Sequence, residues 1–255
     1  CKAVQNSCGI TDISGTAKFR ITGKDAFEFL DKLSCNKLPS KDGRIGLTLF
    51  NAPKGGIIAE QTISRINKEH FLLMGAIGSE VKDYQWLEWH IGELNVTIEN
   101  LTEEWGGLLL TGPEARNVLS QCTQEDLSNN AFSWLSCKTI KIDSADVFAM
   151  RVSYAGELGW ELHMPSWQVI SIYESLFEMG SPLGLKDFGG QAFNSMRLEK
   201  MYRAYGAEFT EEISALEAGM ERFLDLNRDF IGADNIRERM SSGIKTKLAY
   251  LIFDD

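Results

Sequence analysis

The chain has 255 residues, 44% of them apolar and 24% charged, with a formal net charge of −10 at pH 7. That is enough apolar material for a sizeable core, in one large domain or two small ones, and too much for a disordered chain. The acidic balance speaks against nucleic acid and anionic membranes as partners, because both are bound through basic patches.

In chain order, "CGITDISGTAKFRITGKDA" opens the readable structure, and its end resembles a later stretch. "ITGKDAFEFL" (21–30) and "LTGPEARNVL" (110–119) share Thr-Gly, an acidic residue, Ala and a final Leu at matching places. Each reads as a strand end, a turn at Gly23 or Gly112, then a helix; Pro113 suits a first helical turn. Phe27, Leu30 and Leu33 make the apolar stripe of the first helix. The duplication predicts two related subdomains.

Residues 43–67 read as strand, turn at Pro53 to Gly56, and strand. "HFLLMGAI" is a further strand. The spacing predicts a helix over 79–91, capped by Ser79, with Val81, Tyr84, Leu87 and Ile91 on one face. "LNVTIENLT" (94–102) alternates as a strand does. "DVFAMRVSYAG" and "LGWELHMP" are two arms around a glycine-rich turn. Residues 167–180 form an amphipathic helix closed by Gly180, and 189–206 a helix ended by Gly206. Leu248 to Phe253 reads as a strand that stops with the chain; with Cys1 at the other end, a fragment of a longer polypeptide is expected. Strands and helices mix without a βαβ rhythm, so the fold class is α+β.

Several chemistries lack their motifs. No G-x-G-x-x-G, Walker loop or G-x-S-x-G elbow is present. His70, His90 and His163 have no metal-ligand spacing, so no metal is expected. The cysteines, Cys1, Cys8, Cys35, Cys122 and Cys137, are odd in number and scattered. They read as reduced thiols packed as small apolar groups in a reducing compartment, cytosol or mitochondrial matrix. No apolar run is long enough to span a membrane.

What stays is a set of polar groups inside apolar segments. Glu60 follows "GGIIA"; if Ile58 points inward, so does Glu60, because strand side chains repeat with period two. Glu161 lies between Trp160 and Leu162. Tyr154 ends the first arm, and Arg197 sits among Phe193, Met196, Leu198 and Met201. Each has a plain alternative: Glu60 as a surface or edge-strand carboxylate, Glu161 paired with a nearby arginine such as Arg151, Tyr154 as strand packing, Arg197 as an exposed or ion-paired helix residue. A buried carboxylate must be paired, protonated or facing a cavity.

"VSYAGELGWELHMP" (152–165) resembles the hairpin of the glycine-cleavage T-protein (aminomethyltransferase) family. Residues 184–223, "GLKDFGGQAFNSMRLEKMYRAYGAEFTEEISALEAGMERF", resemble its later block, above all the version in dimethylglycine and sarcosine dehydrogenases. "GGIIAEQTISR", "EDLSNNAF" and the opening stretch fit the same order, so the resemblance covers nearly the whole chain. It implies an aminomethyltransferase-type folate-binding domain over 1–245, with 246–255 the first strand of a further β-barrel. It implies that Tyr154 and Glu161 contact folate, with Tyr205 in the later block as a further binding residue. Glu60 stands where the family's catalytic carboxylate, commonly Asp, is found. Arg197 matches the helix arginine that would orient Glu60 or the folate. Met74 and Gly75 replace a region where T-proteins carry an Asn. The implied cofactor is tetrahydrofolate, which captures a carbon from a methylated amine as 5,10-methylenetetrahydrofolate. FAD would belong to a separate oxidase domain or subunit. A folate-binding relative without transferase chemistry, regulatory or structural, is the alternative; its "K-G-C-Y-x-G-Q-E" pattern has no counterpart in "EKMYRAYGAE".

Overall fold

The computed structural model describes residues 1–252. In chain order its elements are α1 (Lys2–Asn6), β1 (Cys8–Asp12), β2 (Thr16–Thr22), α2 (Ala26–Leu33), β3 (Arg44–Asn51), β4 (Ile57–Asn67), β5 (His70–Ile77), α3 (Glu80–Trp89) and β6 (Thr97–Asn100). Then come β7 (Trp105–Thr111), α4 (Ala115–Cys122), β8 (Cys137–Ile142), β9 (Ala145–Met150), β10 (Gly159–Pro165), α5 (Val169–Gly180), β11 (Leu185–Asp187), α6 (Gly190–Glu199) and α7 (Ala233–Ser242). The α+β class holds: strands meet mostly as antiparallel neighbours, with helices packed against them. The chain divides into two interleaved units. Unit 1 holds 1–18, 43–45 and 100–202; unit 2 holds 19–42, 46–99 and 203 onward.

Unit 1 is built on a six-stranded sheet in the order β11-β1-β7-β10-β9-β8. Its described ladders are antiparallel except β1 with β11. Strand β10 shows why the sequence alternates there. Trp160, Leu162 and Met164 point into a core that also takes Val118 and Leu119 of α4 and Ile172 and Leu176 of α5. Burying one such side chain is worth about 2–3 kcal/mol. Period two then sends Glu161 and His163 to the other face. Unit 2 holds a five-stranded sheet, β3-β4-β5-β2-β6, and a core of Leu49, Ile57, Phe209, Leu216 and Ile236.

The two strand-turn-helix stretches adopt one corner geometry. Gly23 and Gly112 have φ +132° and +130°. A Cβ at Gly23 would lie 2.1 Å from the Asn95 carbonyl oxygen; one at Gly112 would lie 2.5 Å from that of Ser7. Both positions demand glycine, for conformation and for room.

Several expectations change in detail. Phe29, with Leu30 and Leu33, fills the core side of α2, while Phe27 is half-buried. In α3 the buried residues are Asp83 and Leu87; Val81 is 68% exposed, and Ser79 makes no side-chain cap. The helix of 167–180 passes through Gly180 into a short 3₁₀ turn, and the left-handed residue that stops it is Gly184. Helix α6 ends at Glu199, well before Gly206. There Met201 takes the left-handed conformation, φ +57°. The Tyr202 N–H reaches the Arg197 carbonyl and the Met201 N–H that of Leu198. This pair of bonds is a Schellman ending with methionine where glycine is usual. Residues 248–252 form no strand. A strand needs a ladder partner, and none is paired there among the described residues; the rest of the expected strand, residue 253, lies outside them.

Cys8, Cys35, Cys122 and Cys137 are buried and Cys1 is exposed. Burial pushes the Cys8 thiol up to about 12 and the Cys122 thiol to about 11, so both stay protonated packing groups at neutral pH. Among the described residues no helix is long and apolar enough to cross a membrane.

Candidate functional site

The hairpin of "VSYAGELGWELHMP" is real, but its turn is longer than expected. Strand β9 ends at Met150, and β10 begins at Gly159. Residues 151–158 form an irregular loop, so Tyr154 lies within the loop and does not end a strand. Glu161 sits in an interior strand, opposite Leu109 of β7 and Met150 of β9. Its side chain is 18% exposed, and its near polar neighbour is the Nε2 of His163, at 3.4 Å from Oε2. No lysine or arginine pairs with it among the described residues.

The expected alternative partner, Arg151, is engaged elsewhere. Its Nη1 donates to the Phe132 carbonyl at 2.5 Å and its Nη2 to Asn129 Oδ1 at 2.7 Å. Burial, then the nearby Arg116 charge, lowers its pKa. Arg151 therefore pins residues 129–132 and leaves Glu161 uncompensated by a fixed cation.

Tyr154 belongs to an aromatic cluster. Its ring stacks on Tyr202 at 5.9 Å and meets Phe193 of α6 edge-on at 5.7 Å. Arg197 is buried in the last turn of α6. Its Nε donates to Asn194 Oδ1 and its Nη1 to the Tyr202 carbonyl, each at 2.8 Å. With the Schellman ending, these bonds fix Tyr202 against Tyr154. The structure thus brings Tyr154 and Arg197 together through Tyr202, a residue sequence reasoning passed over. A cleft of about 310 Å³ adjoins them, lined by Trp134, Arg151, Ser153, Glu157 and Tyr202 among others. Its wall reaches Gly159, two residues from Glu161, and Glu157 on that wall is paired with Lys200 at 3.1 Å.

Glu60 and Tyr205 lie in unit 2. Glu60 is half-buried on β4, on the side of the buried Ile58 and opposite Gln61. Tyr205 packs on the unit 2 core, and Lys82 Nζ stands 3.6 Å above its ring centre. That lysine also donates to the Ile58 carbonyl. Next to it is a buried polar knot. Asp83 Oδ2 accepts from Gln61 Nε2 at 2.8 Å and from Ser79 Oγ at 2.6 Å, and Lys82 Nζ lies 3.2 Å from Oδ1. Burial raises the Asp83 pKa despite those partners. Met74, where T-proteins carry an Asn, is buried on β5 opposite Thr62.

With this geometry in place the comparisons are informative. Residues 1–228 match the GCVT N-terminal domain family, and the chain belongs to it. Among its relatives, mitochondrial dimethylglycine dehydrogenase of Homo sapiens is 39% identical over 254 residues, covering 98% of this chain and 29% of that protein. The Mus musculus enzyme of that name is 40% identical with the same coverage. An aminomethyltransferase of Thermoanaerobacter pseudethanolicus is 33% identical over 249 residues, 97% of this chain and 67% of that protein. The chain therefore spans less than a third of the dehydrogenases' length. The solved aminomethyltransferase T of Bartonella henselae superposes with a TM-score of 0.84 at 23% identity, over 95% of this chain and 65% of that one. At that identity the likeness speaks for the fold, which is the aminomethyltransferase fold.

Proposed function

We propose that this domain binds tetrahydrofolate and serves one-carbon transfer from a methylated amine such as dimethylglycine or sarcosine. The observation that carries the reading is the state of Glu161. Among the described residues, this acidic side chain on an interior strand has no fixed cation beside it, and only one of its oxygens has a protein partner. Enclosing a carboxylate with so few partners costs free energy unless something completes it. A pterin edge offers two adjacent donors, N3–H and the 2-amino group, which a carboxylate accepts as a fork. The donor chemistry of the group and the open acceptor of the chain fit.

In this reading Glu161 binds and orients the heterocycle. Tyr154 supplies a flat wall, held by Tyr202 and Phe193. Arg197 acts at one remove, by fixing Tyr202. Tyr205, held under Lys82, is a further binding residue. Glu60 is the general base, taking a proton from a folate nitrogen; such a group contributes about 10²–10⁴-fold. When bound, tetrahydrofolate supplies the nitrogen nucleophile that captures the carbon as 5,10-methylenetetrahydrofolate. Oxidation of the amine falls to a flavin-bearing domain or subunit outside this chain. The mitochondrial relatives favour a matrix location where the source is eukaryotic, and the cytoplasm otherwise.

The test is calorimetric titration of tetrahydrofolate into the intact protein, with Glu161→Ala as control. Loss of about 1.5–3 kcal/mol of binding in the variant is expected; undiminished affinity rejects the fork. Glu60→Gln is expected to bind folate normally and slow methylenetetrahydrofolate formation, which separates a transferase from a folate-binding relative without chemistry. Unchanged turnover would remove Glu60 from the base role.

A further inference from the structure

His163 is a buried ring with a one-sided environment. Its side chain is 0% exposed. Nε2 faces Glu161 Oε2 at 3.4 Å, and Nδ1 is buried with no hydrogen-bond partner among the described residues. A proton on Nδ1 would be a sealed donor with no acceptor, and would leave the bare Nε2 lone pair facing a carboxylate. Geometry therefore puts the proton on Nε2, where it points at Glu161. A ring that merely filled space would be better replaced by an apolar residue, since the buried Nδ1 costs desolvation.

The sheet is also built to admit this ring. His163 lies opposite Gly107 across the β10–β7 ladder. A Cβ on Gly107 would stand 3.0 Å from Nδ1 and 3.2 Å from Cε1 of the imidazole. Glycine at that place gives the ring a slot beside Ile13, and the slot sets the direction in which Nε2 looks. Glu161 and His163 are two residues apart on one strand, so period two keeps them on one face.

We propose that His163 is a positioning residue for Glu161. Its Nε2–H holds one carboxylate oxygen, which fixes the carboxylate plane. Oε2 retains a second lone pair and Oε1 has both, so the fork toward a ligand with paired N–H groups stays available. The inference rests on the folate reading above and deepens it: the acid is aimed by a second residue, and Gly107 sets the aim.

The experiment uses two His163 variants and one ligand-free measurement. His163→Leu keeps the slot filled and removes the donor; His163→Gln restores an N–H at similar reach. Tetrahydrofolate affinity should fall about tenfold or more in His163→Leu, the worth of one bond to a charged group. It should recover to within a few-fold of wild type in His163→Gln, and the turnover of bound complex should change little in both. Wild-type affinity in His163→Leu, or equal losses in the two variants, would overturn the proposal. Nitrogen NMR of the free protein should place the His163 proton on Nε2, with a shift on Glu161→Gln. A proton on Nδ1 would overturn the positioning role whatever the ligand does. If the wild type binds no tetrahydrofolate, the folate reading falls by itself and the NMR arm still decides whether His163 holds Glu161.

Discussion

Two acids, one in each unit, show what separates a structural carboxylate from a binding one. Asp83 is sealed in unit 2, with Gln61 and Ser79 donating to one oxygen and Lys82 beside the other. Glu161 in unit 1 has, among the described residues, a single polar partner, at 3.4 Å, and its side chain is 18% exposed. Both sit among apolar residues, so hydropathy alone treats them alike. Asp83 finds its partners in the chain itself, on β4, α3 and the turn before α3. Glu161 lacks them, and the guanidinium expected as its alternative partner, Arg151, is committed to Phe132 and Asn129. The lesson is that the number of unmet acceptor positions, more than burial, marks the acid that awaits a ligand.

Substitutions should pull these two acids apart. The largest effect is expected at Asp83→Ala, which leaves the Gln61 amide without its acceptor and removes the carboxylate beside Lys82; a loss of about 3 kcal/mol in urea unfolding is the expected outcome. A loss below about 0.5 kcal/mol would mean that Asp83 is not the centre of the knot. Glu161→Gln should cost about 2 kcal/mol of tetrahydrofolate binding in calorimetry, with unfolding midpoints unchanged. Glu161→Leu should go further in the same sense: binding lost, with a stability loss of about 1 kcal/mol, because the buried His163 Nε2–H is left without its acceptor. A loss as large as that of Asp83→Ala would show Glu161 to be structural, and the contrast with Asp83 would collapse.

The smallest effect is a pH dependence. Burial raises the Asp83 pKa above its unfolded value. Its contribution is then fully present below the ordinary aspartate range and is lost as pH rises through the raised value. Asp83→Asn should flatten that fall in stability across mildly acidic pH, measured by unfolding at a series of pH values. An identical slope in the variant would assign the dependence to other groups.

How far the sequence could be read follows the same physics. The paired Thr-Gly stretches announced the corners at Gly23 and Gly112, and Glu161 stood out as an acid between Trp160 and Leu162, because both rest on local patterns. The α3 face was misjudged because a hydrophobic pattern favours Val81 and cannot see that Asp83 is buried by partners 4 and 22 residues away. The end of α6 was set too late because methionine, in place of the usual glycine, makes the turn at Met201. Tyr154 was placed on a strand because its neighbours alternate, whereas the loop 151–158 is held by Arg151 and by the α6 aromatic cluster, contacts distant in sequence. His163 was passed over as a lone histidine; the signal for it was the Glu-x-His spacing on one strand face, with a glycine pair across the ladder in "WGGLLL".

The most direct test removes the ligand's half of the fork while leaving the protein alone. Tetrahydrofolate and its analogue without the 2-amino group should be titrated into wild type and into Glu161→Gln. A coupled fork predicts a large affinity drop for the analogue in the wild type and a much smaller one in the variant, an interaction energy of about 1–3 kcal/mol. Equal drops in both proteins would contradict the claim that Glu161 stays open for paired N–H donors.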